Sequence, residues 1–282
     1  MATEEKLIFL HEHFCGSYSF LVCTPFFHEF LKDDACLSGV EFVDGPPSAH
    51  CAGLKEGRIH LSPASSITFA QKPGAFVLSG NLCTSCGFEV RSVKLFSRFP
   101  IEDLSGRSVR MTAQSETSVA LLRILLEDRF SLKPDYVGGG PVNPDDDACL
   151  LIGDQALEEN ERRRFAFGYD LGTLWQAWQG VPFVFGAWVI SKSALVPEGR
   201  PTVERYMELT QGSIESFRKD KAAALDRWLA RFPVNLPRPV VDEYYNALDY
   251  RFTDQRKESL KLFFEYAFRR GMVPQVPRLE FL

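Results

Sequence analysis

The chain has 282 residues, 45% of them apolar and 24% charged, so it can bury a large core as one or two domains. A net charge of −5 without a basic stripe argues against a nucleic-acid partner, and no apolar run is long enough for a membrane span. The acidic start MATEEK differs from a signal peptide, and seven cysteines in a chain of this size favour a reducing cytoplasm over a disulfide framework.

Strands alternate with helices along the first two thirds of the chain. In chain order, we predict a strand running into a helix (19–31), a helix end, strand and turn (53–70), strands at 91–97 and 107–114, a helix at 115–130, strands at 148–153 and 182–191, and helices at 202–232, 239–252 and 254–271. This alternation predicts mostly parallel sheets that bind a ligand at the carboxyl ends of their strands.

Two of these strands are candidate crossings between lobes. If the segments 91–97 and 183–191 are the crossings, residues 94–189 form an inserted second lobe. Residues 1–93 and 190–282, with the C-terminal helices, then form the first lobe. The α/β alternation therefore predicts two lobes with a cleft between them.

Short polar clusters stand where strands end or helices begin. Ser115, Thr117 and Ser118 open a predicted helix, whose free N–H groups and dipole suit a carboxylate ligand. Plain N-capping is the alternative explanation. Ser65 and Ser66 follow a short strand and form either an anion site or an ordinary turn. These hydroxyls are the candidate substrate-binding groups.

Acids and tryptophans gather between residues 148 and 188. Asp154 and Asp170 each follow an apolar, strand-like run. Three tryptophans accompany them in sequence: Trp175, Trp178 and Trp188. Acids and aromatic side chains at strand ends predict a ligand cleft.

Metal, redox and nucleotide chemistry lack support in the sequence. The five histidines are His11, His13, His28, His50 and His60, and the nearby cysteines are Cys15, Cys51, Cys83 and Cys86. They contain one C-x₂-C pair and no matching second pair, so we predict no metal site. No thioredoxin-like context surrounds that pair, and no G-x-S-x-G, Walker or G-x-G-x-x-G motif occurs.

Several segments together resemble one enzyme family. In order and spacing, GRIHLSPASS, RSVKLFSRFPIEDLSGRSVRMT, SETSVALLRILL, ACLLIGDQAL and YDLGTLWQAWQGVPFVFGAWV resemble the chorismate dehydratases of the futalosine route to menaquinone. The resemblance covers roughly residues 16–195. It implies an α/β, two-lobed type II periplasmic-binding-protein fold with mixed sheets, a two-strand hinge and the ligand between the lobes. It also implies a cytosolic enzyme that acts on a small dicarboxylate without a cofactor or metal.

The resemblance implies a dehydration that yields 3-[(1-carboxyvinyl)oxy]benzoate. Aromatisation of the ring drives the loss of the C3 proton and the C4 hydroxyl of chorismate, so the protein holds a dianion, orients one C–H bond and assists the departing hydroxide. The serine and threonine clusters suit the first task, and Ser85 suits hydrogen bonding in the cleft.

Asp154 could be an acid, a base or an orienting group. A substrate carboxylate could itself be the base. Charge repulsion and burial would raise the pKa of Asp154 and favour its protonated form.

The chain departs from the family at two positions. Where relatives usually read Ser-Tyr-Leu-Asn-Thr before a proline, Val22 replaces the asparagine, and Thr24 or Cys23 could take over its hydrogen bond. Where relatives read G-x-I-D, this chain has His60. Three interpretations therefore stay open: a chorismate dehydratase, the sister cyclase acting on a dehypoxanthine futalosine-type substrate, or a non-catalytic sensor of an aromatic or cyclohexadiene carboxylate. The motifs SVKLFS and GVPFVFGA favour the first.

Overall fold

Two large sheets carry most of the strands in the computed structural model, which describes residues 7–9, 20–30, 40–43, 47–143 and 145–282. The strands are β1 Leu7–Phe9, β2 Val40–Phe42, β3 Leu61–Ser65, β4 Phe76–Cys86, β5 Val93–Ser97, β6 Ser108–Arg110, β7 Asp135–Val137, β8 Ala148–Ile152, β9 Phe167–Asp170, β10 Val184–Ser191 and β11 Leu248–Arg251. The helices are α1 Thr24–Phe27, α2 Pro47–Glu56, α3 Ile67–Gln71, α4 Glu116–Ile124, α5 Gly153–Arg162, α6 Leu171–Gln179, α7 Arg200–Lys219, α8 Lys221–Arg231, α9 Arg238–Ala247 and α10 Asp254–Arg269.

The sheets are mixed, and antiparallel pairing predominates. The first sheet has the order β11-β4-β10-β3, and every neighbouring pair in it is antiparallel. The second has the order β7-β6-β8-β5-β9, with β6 parallel to β7 and β8 and with β5 antiparallel to β8 and β9. The predicted α/β class with mixed sheets is confirmed, whereas the expectation of mostly parallel strands is wrong. The chain leaves the first sheet through β4 and re-enters it through β10, which runs antiparallel to β4.

The chain crosses twice between the two sheets. It leaves the first sheet at Cys86 and enters the second at Val93, then returns after Gln179 through β10. All of β10 pairs with β3 or β4, from Val184 to Ser191. The predicted lobe boundary at residue 189 therefore falls inside the first sheet, and the pairing moves it to between residues 179 and 184. With that correction, the division into lobes stays a prediction.

Local sequence explains several element ends. Ser115 caps α4 by accepting the Ser118 N–H at 3.2 Å, and Asp170 caps α6 by accepting the Thr173 N–H at 3.0 Å. α6 ends at Gly180, whose φ of +74° is a left-handed conformation that glycine adopts without strain.

Three sequence-based assignments differ from the structure. Phe20–Phe30 holds a 3₁₀ turn and α1 rather than a strand, because Pro25 suits a first helical turn and cannot donate in a sheet. β4 has no counterpart among the predicted elements, since its bulged register with β10 breaks any simple alternation. β11 lies inside a predicted helix and becomes a strand because it pairs with β4.

The tryptophans anchor the core rather than the cleft. Trp175 and Trp188 are fully buried. Trp175 donates to Ser259 Oγ at 3.2 Å and packs edge-on against Phe263, which joins α6 to α10. Trp188 packs against Phe26. The predicted tryptophan lining of the ligand cleft is therefore wrong, because these large apolar side chains gain more free energy inside the core.

Candidate functional site

A cavity of about 140 Å³ lies where the two sheets meet. Its walls come from the 3₁₀ turn at 21–23, the ends of β3 and β4, the first crossing, the start of α4, the β8–α5 turn, β10 and α9. Elements of both sheets thus contribute to one cleft, as a ligand site between two lobes requires.

One wall of the cavity carries serine hydroxyls. Ser65 at the end of β3, together with Ser115 and Ser118 at the start of α4, lines the cavity. The Ser65 and Ser115 oxygens are 3.3 Å apart, and those of Ser115 and Ser118 are 3.0 Å apart. Among the described residues that line the cavity there is no lysine, arginine or histidine. An anionic group at this wall would therefore bind hydroxyls and helix-start N–H groups.

Ser66 and Thr117 lie beneath this wall and do not line the cavity. Both side chains are fully buried. Ser66 donates to the Val184 carbonyl at 2.8 Å, and Thr117 Oγ1 accepts the Ile67 N–H at 3.0 Å. The two hydroxyls are 3.3 Å apart. Hydrogen bonds between β3–α3 and α4 already occupy them, and their predicted contact with substrate stays a prediction.

Ser85 and Thr24 are also turned away from the cavity. Ser85 donates to the Phe183 carbonyl at 2.7 Å and accepts from Arg256 Nε at 3.0 Å. Successive residues of a strand face opposite sides, so its neighbour Thr84 lines the cavity instead. Thr24 Oγ1 lies 2.8 Å from the buried Tyr245 hydroxyl. Neither side chain lines the cavity, and their predicted contact with substrate stays a prediction.

The rest of the lining includes an apolar wall, to which the predicted position Val22 belongs. Val22, Cys23, Phe20 and Phe185 form this wall. Burial, and the nearby charge of Asp154, raise the pKa of the Cys23 thiol to about 12, so it stays neutral. The cavity thus combines serine hydroxyls with apolar side chains.

Asp154 stands in the first turn of α5, directly after Gly153. Gly153 lines the cavity and Asp154 itself does not, so its catalytic role stays a prediction. Its Oδ1 accepts the Leu21 N–H at 3.2 Å, and no other described residue donates to this carboxyl group. The pKa of Asp154 is raised to about 7, chiefly because the group is buried; the Leu21 amide acts against this rise and the charge of Glu158 adds to it. Both protonation states are therefore populated near neutral pH, which suits proton transfer.

Gly153 brings α5 against the apolar wall. Its φ is +58°, and a Cβ at this position would overlap the Phe20 ring. Its N–H donates to the Ser92 carbonyl at 2.7 Å. Glycine is therefore required here both by its conformation and by the close approach of Phe20.

Asp170 has a structural task rather than a place in the cavity wall. Its carboxylate accepts N–H groups from Val90 at 3.1 Å, Arg91 at 2.7 Å and Thr173 at 3.0 Å. These bonds hold the first crossing against α6.

Sequence reasoning missed four polar residues of the cavity. Thr84, Ser92, Gln114 and Tyr244 line it, and none was assigned a role. Thr84 and Gln114 adjoin predicted site residues, so strand and helix-start periodicity could have suggested them. Ser92 begins the family motif SVKLFS, which could have pointed to it, whereas Tyr244 is distant in sequence from the predicted site residues and lies in no quoted motif.

The structure adds little to the question of metal binding. No group of three His, Cys, Asp or Glu side chains within the described ranges could hold a metal ion. His60 is buried, and its carbonyl accepts the Ser191 N–H at 2.7 Å. His11, His13 and Cys15 lie outside the described residues, so the absence of a metal stays a prediction. No helix in the part of the chain that the structure describes could cross a membrane.

The comparison with protein families decides the assignment. A family described as acting in menaquinone biosynthesis matches residues 15–269. The chain belongs to this menaquinone biosynthesis family. The predicted resemblance is thereby confirmed at the level of the family. A chorismate dehydratase of Thermus thermophilus is 29% identical to this member over 189 residues, which are 61% of this chain and 67% of that protein.

Solved structures share the fold of this family member at low sequence identity. A protein of Archaeoglobus fulgidus has a TM-score of 0.76 at 15% identity and covers 96% of this chain and 100% of its own. The alkanesulfonate-binding protein of Xanthomonas axonopodis has a TM-score of 0.68 at 15% identity, with 98% and 97% covered. A Candida albicans protein described as having the generic periplasmic-binding-protein fold reaches 0.61 at 9% identity, with 98% and 97% covered. These likenesses show the periplasmic-binding-protein-like fold.

Proposed function

We propose that this protein is a carbon–oxygen lyase that dehydrates chorismate to 3-[(1-carboxyvinyl)oxy]benzoate in the futalosine route to menaquinone. Membership of the menaquinone biosynthesis family and the similarity to a chorismate dehydratase support the proposal. The observation that carries it is the cavity itself, whose lining combines serine hydroxyls with apolar side chains and includes Gly153, the residue next to a carboxyl group with a raised pKa. This arrangement suits a small dicarboxylate that must lose a hydroxyl group.

Each wall has a task in this mechanism. Ser65, Ser115 and Ser118 hold a carboxylate of chorismate, and Phe20 and Phe185 contact the apolar side of the ring. Protonated Asp154 gives its proton to the C4 hydroxyl as the C4–O bond breaks, and the two leave as water. The electron pair of the C3–H bond completes the aromatic ring, and a substrate carboxylate takes the C3 proton. The balance is one water lost and no oxidant consumed.

A product assay tests the proposal directly. Purified protein incubated with chorismate should release the aromatic ether, identified by its ultraviolet spectrum and by a mass lower by one water. Chorismate binding without product would instead support the sensor alternative. Conversion of a dehypoxanthine futalosine-type substrate, with chorismate unchanged, would support the cyclase.

We also place the enzyme in the cytoplasm. Cys23, Cys51, Cys83, Cys86 and Cys149 are free thiols within the described residues, as a reducing compartment allows.

Separate substitutions of Ser115 and Thr117 should distinguish the hydroxyls that line the cavity from those that lie beneath them. Ser115→Ala removes a cavity-lining hydroxyl, so we expect chorismate affinity to fall by about 1.5–3 kcal/mol, the usual value of a hydrogen bond to a charged group. Thr117→Ala removes a hydroxyl that does not line the cavity, which accepts the Ile67 N–H and lies 3.3 Å from the Ser66 hydroxyl. It should mainly lower the thermal midpoint. Calorimetric titration and thermal unfolding of both variants measure this, and equal affinity losses would contradict this distinction.

Val22→Asn tests the position where the chain departs from its relatives. We expect the variant to raise kcat/KM for chorismate about fivefold, since one added hydrogen bond contributes about 1 kcal/mol. The Val22 carbonyl is held by Tyr250 Oη at 3.2 Å, so the turn should keep its conformation. A lower kcat/KM would mean that the wall is shaped for another ligand, because an unpaired buried amide costs free energy. The matched control is Val22→Leu, which keeps the wall apolar.

A further inference from the structure

Tyr244 and Ser92 form a hydrogen-bonded pair in the cavity wall. Both residues line the cavity, with Tyr244 1% and Ser92 5% exposed. The Ser92 hydroxyl donates to the Tyr244 oxygen at 3.1 Å. The mechanism above uses neither side chain. A polar pair enclosed in a ligand cavity therefore remains to be assigned a task.

Ser92 is fixed at several points, so its hydroxyl has a defined direction. The two preceding N–H groups, of Val90 and Arg91, donate to Asp170. Arg91 has a φ of +63°, a left-handed conformation that is costly for a residue with a side chain. The Ser92 carbonyl accepts the Gly153 N–H at 2.7 Å. The segment thus holds Ser92 between the β8–α5 turn and Tyr244.

The adjacent ion pair fixes the same contact from the side of α9. Glu243 Oε2 accepts from Arg91 Nη1 at 2.5 Å. Consecutive residues of the crossing, Arg91 and Ser92, therefore bind consecutive residues of α9, Glu243 and Tyr244. This double attachment limits movement of the phenol ring.

The Tyr244 hydroxyl is available to donate a hydrogen bond to a ligand. Ser92 donates to the phenol oxygen, and within the described part of the chain Tyr244 donates to no acceptor. Burial raises the pKa of Tyr244 well above its usual range, and the nearby charge of Asp154 raises it further. The phenol therefore stays protonated and is a donor, not an acceptor.

We propose that Tyr244 contacts the substrate and donates a hydrogen bond to the hydroxyl oxygen that leaves, with Ser92 as its positioning residue. The proposal rests on the dehydration proposed above. In that mechanism a carboxylate of chorismate lies at the serine wall. The C4 hydroxyl oxygen of chorismate then lies nearest to Asp154 and receives the Asp154 proton. A donor beside Asp154 then stabilises the negative charge that develops on that oxygen. Tyr244 keeps its own proton throughout, and the water forms with the proton of Asp154.

Tyr244→Phe tests this role, because it keeps the ring and removes the hydroxyl. We expect kcat for chorismate to fall by about 10²-fold, the usual effect of losing one donor to a developing charge. Chorismate affinity, measured by calorimetry, should change by less than about threefold, since the contact strengthens only in the transition state. An unchanged kcat, or a lower affinity with kcat retained, would overturn the proposal.

Ser92→Ala and a matched tyrosine control complete the experiment. Ser92→Ala should lower kcat by a smaller factor, and it should have no further effect in the Tyr244→Phe background, because Ser92 acts through the phenol. Tyr206→Phe removes another buried phenol, outside the cavity, and should leave kcat unchanged. Should Tyr244→Phe fail to fold, an unchanged kcat in Ser92→Ala overturns the proposal. A wild-type protein that forms no product overturns both proposals, whereas wild-type turnover with an unaffected Tyr244→Phe overturns only this one.

Discussion

Asp154→Asn should lower the turnover of chorismate by about 10²–10⁴-fold, the usual contribution of a positioned proton donor. The amide oxygen of asparagine can still accept the Leu21 N–H that Asp154 accepts at 3.2 Å, so the turn should keep its conformation. Substrate affinity should change far less than kcat. Steady-state kinetics and calorimetric titration of the two proteins measure both quantities. A proportional loss of affinity and kcat/KM, with kcat retained, would make Asp154 a binding group.

The pH dependence of the wild-type enzyme should show the same group. Burial raises the pKa of Asp154 to about 7, and the acid role needs the protonated form. The turnover number should therefore be highest at low pH and fall as the pH rises through this pKa, which a bound dianion raises further. The turnover number of Asp154→Asn should not show this fall with rising pH. A decline toward low pH instead would assign Asp154 as the base.

The protonation of Asp154 should also affect the stability of the fold, in the same direction as it affects turnover. A carboxyl group whose pKa is raised by folding contributes most below its unfolded pKa and loses that contribution as the pH rises through its folded pKa of about 7. Asp154→Asn should therefore be at least as stable as the wild type at pH values above about 8. Thermal unfolding at that pH confirms that a loss of turnover is not a loss of fold.

Gly153→Ala should have the second large effect. The left-handed conformation costs an alanine about 1–2 kcal/mol, and overlap with the Phe20 ring adds about 1–3 kcal/mol. We therefore expect the free energy of unfolding to fall by about 2–5 kcal/mol. Chorismate affinity should fall as well, because Gly153 and Phe20 both line the cavity. Chemical denaturation and calorimetric titration measure the two effects.

Gly180→Ala is the matched control for this substitution. Gly180 also has a positive φ, +74°, but a Cβ there would meet nothing within 4 Å. It should lose only the conformational part of the stability, with chorismate affinity unchanged. Equal losses in the two variants would show that the approach of Phe20 to Gly153 has no energetic importance.

Features set by neighbouring residues could be predicted from the sequence. The apolar run ACLLI predicts the buried strand β8, and the hydroxyl of Ser115 before an apolar stripe predicts the start of α4. Asp154 follows β8 directly, so its place at a strand end was also readable. These features depend on contacts within a few residues, which the local pattern contains.

The direction of each hydroxyl could not be read in the same way. Ser85 and Thr84 are adjacent, yet only Thr84 lines the cavity. Ser66 and Thr117 belong to polar clusters that look suited to an anion. Instead, the Ser66 hydroxyl contacts the Thr117 hydroxyl of α4, and Thr117 accepts the Ile67 N–H of α3. The packing of the strands and helices decides which of their faces lines the cavity and which contacts another element. The composition of a segment does not predict this.

By itself, the sequence determined the class of fold, the family and the local sites at the start of α4 and after β8, because each depends on residues close together in the chain. The tertiary structure alone decided the antiparallel first sheet, the strand character of β11 and the pairing of Ser92 with Tyr244. Those two residues are 152 positions apart. Such contacts form only when sheet pairing and core burial bring distant segments together, and their free energy outweighs local preference.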